Sequence, residues 1–514
     1  MNLKNKNTQF ILFWILLQVF FNWIEYIYLP PFGMHQGAQA DRASIALNYF
    51  NYSENFFEPR VMESRAYHGL TGLEFPIIQY LVSLLYQVFG FHHFIYRAVM
   101  GAIVFVGCFS IWKLTGLYIL KTIHRYCIFL LWYSSPILVY YSFNYIPDIP
   151  AFSFSMIAWY HFFQYYHGIN KRKSFNYYIL FTTLSGLLKV TFFINHFALL
   201  GIIVLQKIKP NAILNPIYFK PRQYIIFFIP FFIVSVWYYY SNYLTQLTWN
   251  HHFLQATNPA KSIPEFIENT RFSLNTWGNR IYPFTVLMGI LVIWLVTLIK
   301  YFKQLDIIGN IGILLFGGFL IIFTLFNVQF RYHDYYFVAL FPSLFFIFLW
   351  LYKVHIENRS FFNGAASVIS LIAMYVLPIS NSIHAKNNVK RTFTPNDYYC
   401  QSVIGNINDY QKAKDFINQK HPNTNEIFSA FDDSPNTSLY LLGRQGIRIA
   451  NDFSNEVIED IFDKKFEEKN TKFLSIIVLN DLDHWQKLNL EKYKISEPIF
   501  QSGNLYICQF SKIK

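Results

Sequence analysis

The chain has few charged side chains, and its acidic residues are scarcest where it is most apolar. Charged residues make up 14% of its 514 positions, against about 25% in soluble domains. Only 12 of its 29 Asp and Glu residues lie in the first 390 positions. Because a charge in hydrocarbon costs free energy, a membrane chain keeps its acids in loops or uses them for function. The first three quarters of the sequence are therefore unlike a soluble domain.

Signatures of several other protein classes are missing. The sequence has no glycine-rich phosphate-binding loop, so it shows no means of using nucleotide triphosphates or nucleotide sugars. No basic stripe or nucleic-acid recognition motif accompanies the net charge of +13. No internal repeat is evident, which argues against the paired halves of a secondary transporter.

Metal ligands and disulfides have little support. Two adjacent histidine pairs, at 92–93 and 251–252, lack the i, i+4 spacing that places two ligands on one helix face. We therefore predict no dedicated metal site. Two of the four cysteines fall in apolar runs, and pairing of Cys400 with Cys508 is left open.

The sequence does contain many apolar runs that are long enough to cross a bilayer, rich in the 57 Phe and 38 Tyr residues. About eleven spans are predicted: 8–29, 93–116, 124–143, 149–167, 177–188, 190–206, 224–244, 282–302, 309–328, 335–354 and 361–380. The 177–206 stretch is either two short helices around Lys189 or one long tilted helix. No small-residue cleavage site follows the first run, so it is interpreted as an uncleaved anchor.

The positive-inside rule gives these spans an orientation. With the N-terminus in the cytoplasm, every predicted cytoplasmic loop is basic: 117–123, 168–176, 207–223, 300–308 and 353–360. Counting the apolar segment 75–90 as a span would reverse every later loop. We interpret it instead as an amphipathic helix on the surface of the outer leaflet.

The end of the chain has a different composition. Residues 391–514 hold 15 Lys and Arg against 17 acids, and they combine strand-like with helical patterns. The strand-like runs are 426–431, 447–450, 473–479 and 504–510, and the helical ones are 406–420, 435–442 and 454–468. The predicted fold is an α-helical polytopic membrane domain over 1–385, with a large outer loop at 30–92. A small extracytoplasmic α/β domain follows over 386–514.

Most of the scarce acids collect on the predicted outer side. Nine of the twelve lie there: Asp41, Glu54, Glu58, Glu63, Glu74, Asp148, Glu265, Glu268 and Asp334. Carboxylates gathered on one face of a membrane indicate binding or chemistry at that face. Asp41 follows the first span by about a dozen residues. It is a candidate for such a functional role, and the structural alternative is that it caps a helix over 42–51.

The order of these features resembles the GT-C class of membrane glycosyltransferases, in the group of protein O-mannosyltransferases and lipid A aminoarabinose transferases (glycosyltransferase family 39). The resemblance covers roughly 8–350. It rests on Asp41 early in the first outer loop, on Glu-Phe-Pro at 74–76 before a surface helix, and on a second acid within 144–150. Arg42 stands where these enzymes usually carry Glu.

The resemblance implies a sugar donor on a polyprenyl phosphate and an acceptor hydroxyl or phosphate on the outer side. Asp41 is then the general base, and Asp148 is a second catalytic acid that positions the acceptor. Cations and hydroxyls would hold the lipid phosphate as it leaves. The candidates for this binding are Lys189, Arg331, Tyr332 and His333. The candidates for the acceptor side and its loops are Glu74, Arg60 and Asp334.

Structural alternatives accompany these roles. Lys189, which appears as an isolated cation between two apolar runs, can instead snorkel to the interface as an anchor. Arg331 and Asp334 can form a local pair within a belt of interfacial tyrosines. Asp148 can cap a helix that starts at Ile149. His333 is the second candidate for the base, and a divalent cation that bridges the donor phosphate to a carboxylate is left open.

We therefore expect an integral membrane glycosyltransferase of bacterial inner-membrane type, with inversion at the anomeric carbon. Its partners would be the lipid-linked donor, an acceptor lipid, glycan or protein, and membrane lipids, with no nucleic acid. A rival from another class is a transporter or flippase of lipid-linked glycans. A second rival is a polysaccharide polymerase or ligase that uses diphosphate-linked glycans.

Overall fold

A computed structural model describes the protein over most of its length. The described residues are 5–65, 67–208, 217–248, 256–301, 305–357, 365–394, 407–422, 426–430, 434, 436–450, 453–467, 476–479 and 490–513. They form two compact units. The first comprises Met1–Ile27, Arg97–Tyr239 and Ala256–Arg391, and the second comprises Tyr28–Tyr96, Tyr240–Gln255 and Thr392–Lys514. Packing thus groups 28–96 with the C-terminal segment, which the sequence did not predict.

The first unit is helical and has an aromatic core. Its helices are α1 (Lys6–Phe20), α2 (Trp23–Tyr26), most of α5 (His93–Tyr118), α6 (Thr122–Tyr133), α7 (Pro136–Tyr141), α8 (Asp148–Tyr166), α9 (Lys171–Leu188), α10 (Ile194–Ile208), most of α11 (Pro221–Thr248), α12 (Ile263–Ile281), α13 (Phe284–Tyr301), α14 (Ile307–Leu325), α15 (Asn327–Tyr332), α16 (Phe341–Glu357) and α17 (Ala365–Thr392). Single 3₁₀ segments, Val190–Phe193 and Asp334–Leu340, lead into α10 and α16. Large rings such as Trp112, Trp132 and Trp159 are fully buried between the helices.

Within the described residues, six helices are long and apolar enough to cross a membrane. They are His93–Tyr118, Val190–Ile208, Pro221–Thr248, Phe284–Tyr301, Ile307–Leu325 and Asp334–His355. The other predicted runs also contain helix, but several are broken or polar. The run 8–29 bends at Asn22, which has a left-handed φ of 63°, and the run 124–143 breaks before Pro136. The protein is an integral membrane protein, and the count of eleven spans stays a prediction.

The sequence sets where several helices begin and end. Asp306 caps α14 by accepting a hydrogen bond from the Gly309 N–H (3.0 Å), and Ser262 caps α12 by accepting from the Glu265 N–H. At Lys189 the backbone is extended, with a φ of −156° and a ψ of 114°, so α9 ends there. The two-helix interpretation of 177–206 is therefore confirmed.

The second unit combines residues 28–96, which include the predicted first outer loop, with a sheet. Its helices are α3 (Gln36–Tyr52), α4 (Ile77–Phe89), α18 (Ile407–Lys420), α19 (Thr437–Leu442) and α20 (Asn455–Glu467). Its strands are β1 (Glu426–Ala430), β2 (Gln445–Ile449), β3 (Ile476–Leu479), β4 (Tyr493–Ile495), β5 (Phe500–Ser502) and β6 (Leu505–Lys512). The four strand-like runs and three helical patterns of the sequence all appear, so the predicted fold class is confirmed.

The strands form one mixed sheet among the described residues. Its order is β2-β1-β3-β6-β4, and β5 also pairs with β6. β1 is parallel to β2 and β3, with Phe428 opposite both Ile447 and Ile477, while β6 is antiparallel to β3. Helix α19 is the crossover between the parallel strands β1 and β2, as such a connection requires. The apolar side chains of β1–β3 pack on α20 through Ile458 and Phe462.

Helix α4 is the predicted amphipathic segment, and two of its polar side chains face inward. Gln79 and Ser83 are buried, whereas Gln87 near the end of the helix is exposed. The exposed side chains include four apolar ones: Leu81, Leu84, Val88 and Phe89. A helix with this pattern suits contact with lipid, and its place on the outer leaflet stays a prediction.

Candidate functional site

Asp41 lies inside a buried helix of the second unit. Helix α3 starts at Gln36, directly after His35, whose φ of 55° is left-handed. A side chain at Gly37 would place its Cβ 2.8 Å from Ser434 Oγ, so the close packing at this point requires glycine or a shift of the serine. Asp41 therefore sits in the second turn of the helix and is only 6% exposed. The alternative that it caps a helix over 42–51 is wrong, because the helix begins five residues earlier.

The Asp41 carboxylate accepts a hydrogen bond from the C-terminal segment of the same unit. Asn436 Nδ2 donates to Asp41 Oδ1 at 2.8 Å. Asn436 is itself fully buried, and its Oδ1 accepts from the Glu63 backbone N–H at 2.8 Å. Sequence reasoning missed Asn436, since nothing local to 434–437 points to Asp41.

Arg42 and Glu74 form an ion pair beside Asp41. The Arg42 Nε lies 2.9 Å from Glu74 Oε1, and its Nη2 lies 3.3 Å from Glu74 Oε2, so the pair is bidentate. The Arg42 Nη1 is 4.0 Å from Asp41 Oδ2. Three charged side chains thus adjoin within one unit: a base candidate, a cation and a second carboxylate. Arg42 thus has a carboxylate partner of its own.

Arg60 has a separate setting in the same loop. Its Nε lies 3.0 Å from Glu54 Oε2, and its Nη1 donates to the carbonyl oxygen of Tyr67 at 2.8 Å. Glu58 is a third partner, 3.4 Å from Nη2. These contacts tie together the turns of the first outer loop, and a role for Arg60 toward an acceptor stays a prediction.

In the first unit, Lys189 and Asp148 form an ion pair next to two tyrosine rings. Lys189 Nζ lies 3.5 Å from Asp148 Oδ2, and the Lys189 side chain is 16% exposed. The same ammonium nitrogen lies 4.7 Å from the ring centroid of Tyr336 and 5.7 Å from that of Tyr335. The expectation that Lys189 is an isolated cation is wrong. The chain provides it with a carboxylate and with aromatic faces that attract a cation.

Asp148 is the first residue of α8, which follows Pro147 and carries Pro150 in its first turn. The alternative that Asp148 caps a helix starting at Ile149 is therefore wrong by one residue, because the helix starts at Asp148 itself and Pro147 is the cap residue. The Asp148 carboxylate is directed to Lys189. A carboxylate in a first helical turn is also favoured by the helix dipole. The two residues meet because the end of α9 and the start of α8 adjoin, and this places an anion and a cation together.

The 331–336 cluster divides between two different partners. Arg331 Nη1 lies 2.9 Å from Glu268 Oε1 and 2.8 Å from Asn269 Oδ1, both on α12. Asp334 instead pairs with Arg280, whose Nε lies 2.6 Å from Asp334 Oδ2, and both side chains are fully buried. The alternative of a local Arg331–Asp334 pair is therefore wrong.

Arg280 is a second residue that sequence reasoning missed. Burial alone would lower the pKa of this guanidinium, but Asp334 and the nearby Tyr141 outweigh burial, so its pKa is raised. Arg280 thus remains a cation inside the fold. The only feature of the sequence that could have pointed to Arg280 is its position as the last cation before the span that starts near residue 284.

His333 and Tyr332 lie beside these groups with different exposures. The His333 ring stacks on Tyr335 with centroids 5.1 Å apart, and Tyr335 stacks in turn on Tyr336. Tyr332 is 58% exposed. His333 therefore lies beside the same two tyrosine rings as Lys189, whereas Arg331 and Asp334 have their partners on α12. Among the described residues, no group of three His, Cys, Asp or Glu side chains could hold a metal ion.

The candidate residues fall into two sets, each held within its own unit. Asp41, Glu74 and Arg60 belong to the second unit, and Asp148, Lys189 and the 331–334 segment belong to the first. The two sets have different chemistry. One offers a hydrogen-bonded carboxylate, and the other offers a lysine and aromatic rings that suit an anion.

No family model and no curated protein matches the sequence. Solved structures do match the fold. The apo structure of ArnT from Cupriavidus metallidurans superposes with a TM-score of 0.61 and 10% sequence identity, over 98% of both chains. ArnT from the same organism bound to undecaprenyl phosphate gives a TM-score of 0.59 at 10% identity, again over 98% of both chains.

A more distant match extends the comparison. The oligosaccharyltransferase AglB from Archaeoglobus fulgidus, in complex with an inhibitory peptide and a dolichol-phosphate, gives a TM-score of 0.52 at 12% identity. That alignment covers 88% of this chain and 66% of AglB. Both similar proteins are GT-C glycosyltransferases, and the match with ArnT includes the C-terminal sheet as well as the helices. This chain has the GT-C fold.

Proposed function

We propose that the protein is a membrane glycosyltransferase that moves a sugar from a polyprenyl-phosphate donor to an extracytoplasmic acceptor. One observation carries the proposal: the chain shares its fold, over 98% of both lengths, with ArnT bound to undecaprenyl phosphate. The chemistry of the described residues agrees with this class. It offers a buried carboxylate for proton transfer and a lysine with aromatic neighbours for a phosphate.

The proposed reaction is a single displacement. The oxygen of an acceptor hydroxyl attacks the anomeric carbon, and a new carbon–oxygen bond forms. The bond between that carbon and the lipid phosphate oxygen breaks, and its electron pair leaves with the phosphate. Asp41 takes the proton of the hydroxyl, so the products are the glycosylated acceptor and the polyprenyl phosphate. Attack opposite the leaving group inverts the configuration at the anomeric carbon. Where the acceptor is itself a phosphate, it is already ionised and needs no base.

Lys189, with Arg331, Tyr332 and His333, is proposed to hold the donor phosphate. Charge that develops on a leaving phosphate is stabilised most by donors that are already in place. Lys189 meets that condition, because Asp148 and the Tyr336 ring hold its ammonium group before any ligand arrives. Asp148 is proposed to position the acceptor, and Glu74, Arg60 and Asp334 to shape the acceptor side.

The proposed location is a bacterial inner membrane. The N-terminus would be cytoplasmic and the C-terminal α/β domain extracytoplasmic, since every predicted cytoplasmic loop is then basic. The acceptor is a lipid, a glycan or a protein, and the sequence and fold favour none of these.

The test is sugar transfer by the purified protein in lipid, with a panel of radiolabelled polyprenyl-phosphate sugars and a crude envelope fraction as acceptor. We expect Asp41→Asn to lower transfer about 100-fold or more, the scale of a lost general base, while donor binding persists. Asp415→Asn is the matched control, since Asp415 is an exposed carboxylate of the same unit that accepts from Gln411. It should transfer like the wild type.

Three results would contradict the proposal or its assignment of the base. Transfer that survives in Asp41→Asn would move the base to His333 or Asp148. If the wild-type protein transfers sugar from none of the donors but still binds the lipid, the transporter class would be favoured instead. Use of a diphosphate-linked glycan as donor would favour the polymerase or ligase class.

A further inference from the structure

Asn436 connects three parts of the second unit through one side chain. It precedes α19 and is fully buried. Its Nδ2 donates to Asp41 Oδ1 in α3, and its Oδ1 accepts from the backbone N–H of Glu63. The residues on either side of it that the structure describes, Ser434 and Thr437, are buried too and hydrogen-bond to each other.

The two hydrogen bonds fix which way the amide group points. The Glu63 backbone N–H can only donate, so the Asn436 atom that faces it must be the oxygen. The NH₂ group is therefore directed at Asp41, whose ionised carboxylate can only accept. This network assigns the amide orientation by chemistry. A hydrogen bond to the ionised form of a carboxyl group favours that form.

We propose that Asn436, supplied by the C-terminal segment, is a positioning residue for Asp41 in its proposed role as general base. The last torsion of an aspartate side chain has broad energy wells, so a carboxylate in a helix is not held in one plane by its rotamer alone. The bond from Asn436 to Oδ1 holds that plane and stabilises the unprotonated form that a base needs.

The C-terminal sheet holds Asn436 in place through the first outer loop. The Gly446 N–H donates to the carbonyl oxygen of Met62 (3.0 Å), and the Ser64 N–H donates to the carbonyl oxygen of Gly446 (2.7 Å). Residues 62–64 thus pair in parallel alongside β2, the strand at the edge of the sheet, and Glu63 lies opposite Gly446 at the centre of that pairing. Residues 62–64, which follow the Asp41-bearing helix α3 in the same unit, are therefore docked on the sheet by backbone hydrogen bonds on both sides of the Glu63–Asn436 contact.

Other charged groups near Asp41 also influence whether its carboxyl group is ionised. Arg42 Nη1 lies 4.0 Å from Asp41 Oδ2, and Arg42 is paired with Glu74. From the docked segment, the Glu63 carboxylate is directed to Arg65, whose Nε lies 3.6 Å away. A change at position 436 leaves all four of these charges in place, so an altered titration of Asp41 would come from the changed side chain.

The decisive variant is Asn436→Asp. It has nearly the same shape and keeps an oxygen for the Glu63 N–H, so the docking contact persists. It replaces the NH₂ group that donates to Asp41 with a second carboxylate, which disfavours ionised Asp41. For an acceptor that carries a hydroxyl, we expect the acid limb of the pH–rate profile to move to higher pH, while binding of the lipid-linked sugar is unchanged. Asn436→Ala should lower kcat about 10- to 100-fold, the effect of losing a hydrogen bond to a charged group.

The matched control is Gln445→Glu. Gln445 Nε2 also donates from the sheet to the first outer loop, at Asn48 Oδ1 (3.3 Å), but it does not contact Asp41. This variant makes the same amide-to-carboxylate change between the same segments. Its pH profile should match the wild type. An acid limb that stays in place in Asn436→Asp, or that moves equally in both variants, would overturn the positioning role.

A second measurement does not depend on activity. Infrared difference spectra of the full-length protein, wild type against Asp41→Asn, isolate the carboxylate band of Asp41. In the Asn436→Asp background this band should disappear at a higher pH than in the wild type. Loss of the band at the same pH in both would contradict the inference. If the wild type shows no transfer at all, the proposed function fails, and this band alone decides whether Asn436 controls the ionisation of Asp41.

Discussion

Lys189 shows how one side chain can be suited to an anion without a dedicated binding loop. It occupies the extended residue at which α9 ends, so its backbone does not continue a helix. Asp148 and the Tyr335 and Tyr336 rings surround its ammonium group. A cation held in this way loses little side-chain freedom when a ligand binds, and pre-organisation of this kind improves affinity.

Replacement of this cation tests its proposed role in donor binding. Lys189→Met keeps an unbranched apolar chain of similar reach and removes the charge. We expect the affinity for a radiolabelled polyprenyl phosphate to fall about 10- to 100-fold, because a charge-assisted hydrogen bond is lost. Equilibrium binding in lipid nanodiscs measures this directly.

The control lies at the other end of the same helix. Lys171 is exposed at the start of α9, within a predicted cytoplasmic loop, and Lys171→Met makes the same change there. It should leave the affinity unchanged. If both variants bind polyprenyl phosphate as tightly as the wild type, Lys189 is not part of the donor site, and the alternative that it is a structural anchor is favoured.

At the scale of elements, α4 is an apolar helix of only 13 residues that nevertheless exposes apolar side chains. Its polar Gln79 and Ser83 are buried, while Leu84, Val88 and Phe89 are exposed. Exposed apolar side chains on one helical stripe are favourable where lipid replaces water. The arrangement supports the interpretation of 75–90 as a helix that lies on the membrane surface.

Spin labels test this directly. A nitroxide at position 88 should collide more often with dissolved oxygen, which concentrates in the bilayer, than with a water-soluble nickel complex. A nitroxide at Gln411, an exposed position on α18, should show the reverse. Power-saturation measurements of the protein in vesicles give both collision rates. Greater access of the nickel complex at position 88 would place α4 in water.

The elements were largely predictable from the sequence, because their signals are local. Alternation and periodicity gave the strands and helices of the C-terminal segment to within a few residues. Contacts between distant positions were not predictable: Asn436 is 395 positions from Asp41 and Arg280 is 54 from Asp334. A buried polar group needs a partner, but a single sequence does not say which one. Asp41, Asp148 and Lys189 could be singled out because charges are rare in this chain, whereas an asparagine in a polar tail carries no such signal.

For the whole molecule, the division of charge along the chain implies an orientation. The first 390 residues hold 27 Lys and Arg against 12 acids, and the remaining residues are nearly balanced. Basic residues concentrate in one alternate set of predicted loops, and acids concentrate in the other. Basic loops are retained in the cytoplasm during insertion, so the acid-bearing loops and the C-terminal sheet are expected on the opposite side.

This orientation can be measured with single cysteines in a background without the native ones. The predicted site residues at 41, 148 and 334 are buried, so labels belong at exposed positions nearby. Asn55→Cys, Lys261→Cys and Lys494→Cys lie in predicted outer segments, and Lys121→Cys and Arg172→Cys lie in predicted cytoplasmic loops. In intact cells, a membrane-impermeant maleimide should label only the first three, while permeabilised cells should label all five. Labelling of position 494 only after permeabilisation would place the C-terminal sheet in the cytoplasm. An extracytoplasmic acceptor would then be excluded, because Asn436 joins that sheet to Asp41 and the proposed base would face the cytoplasm with it.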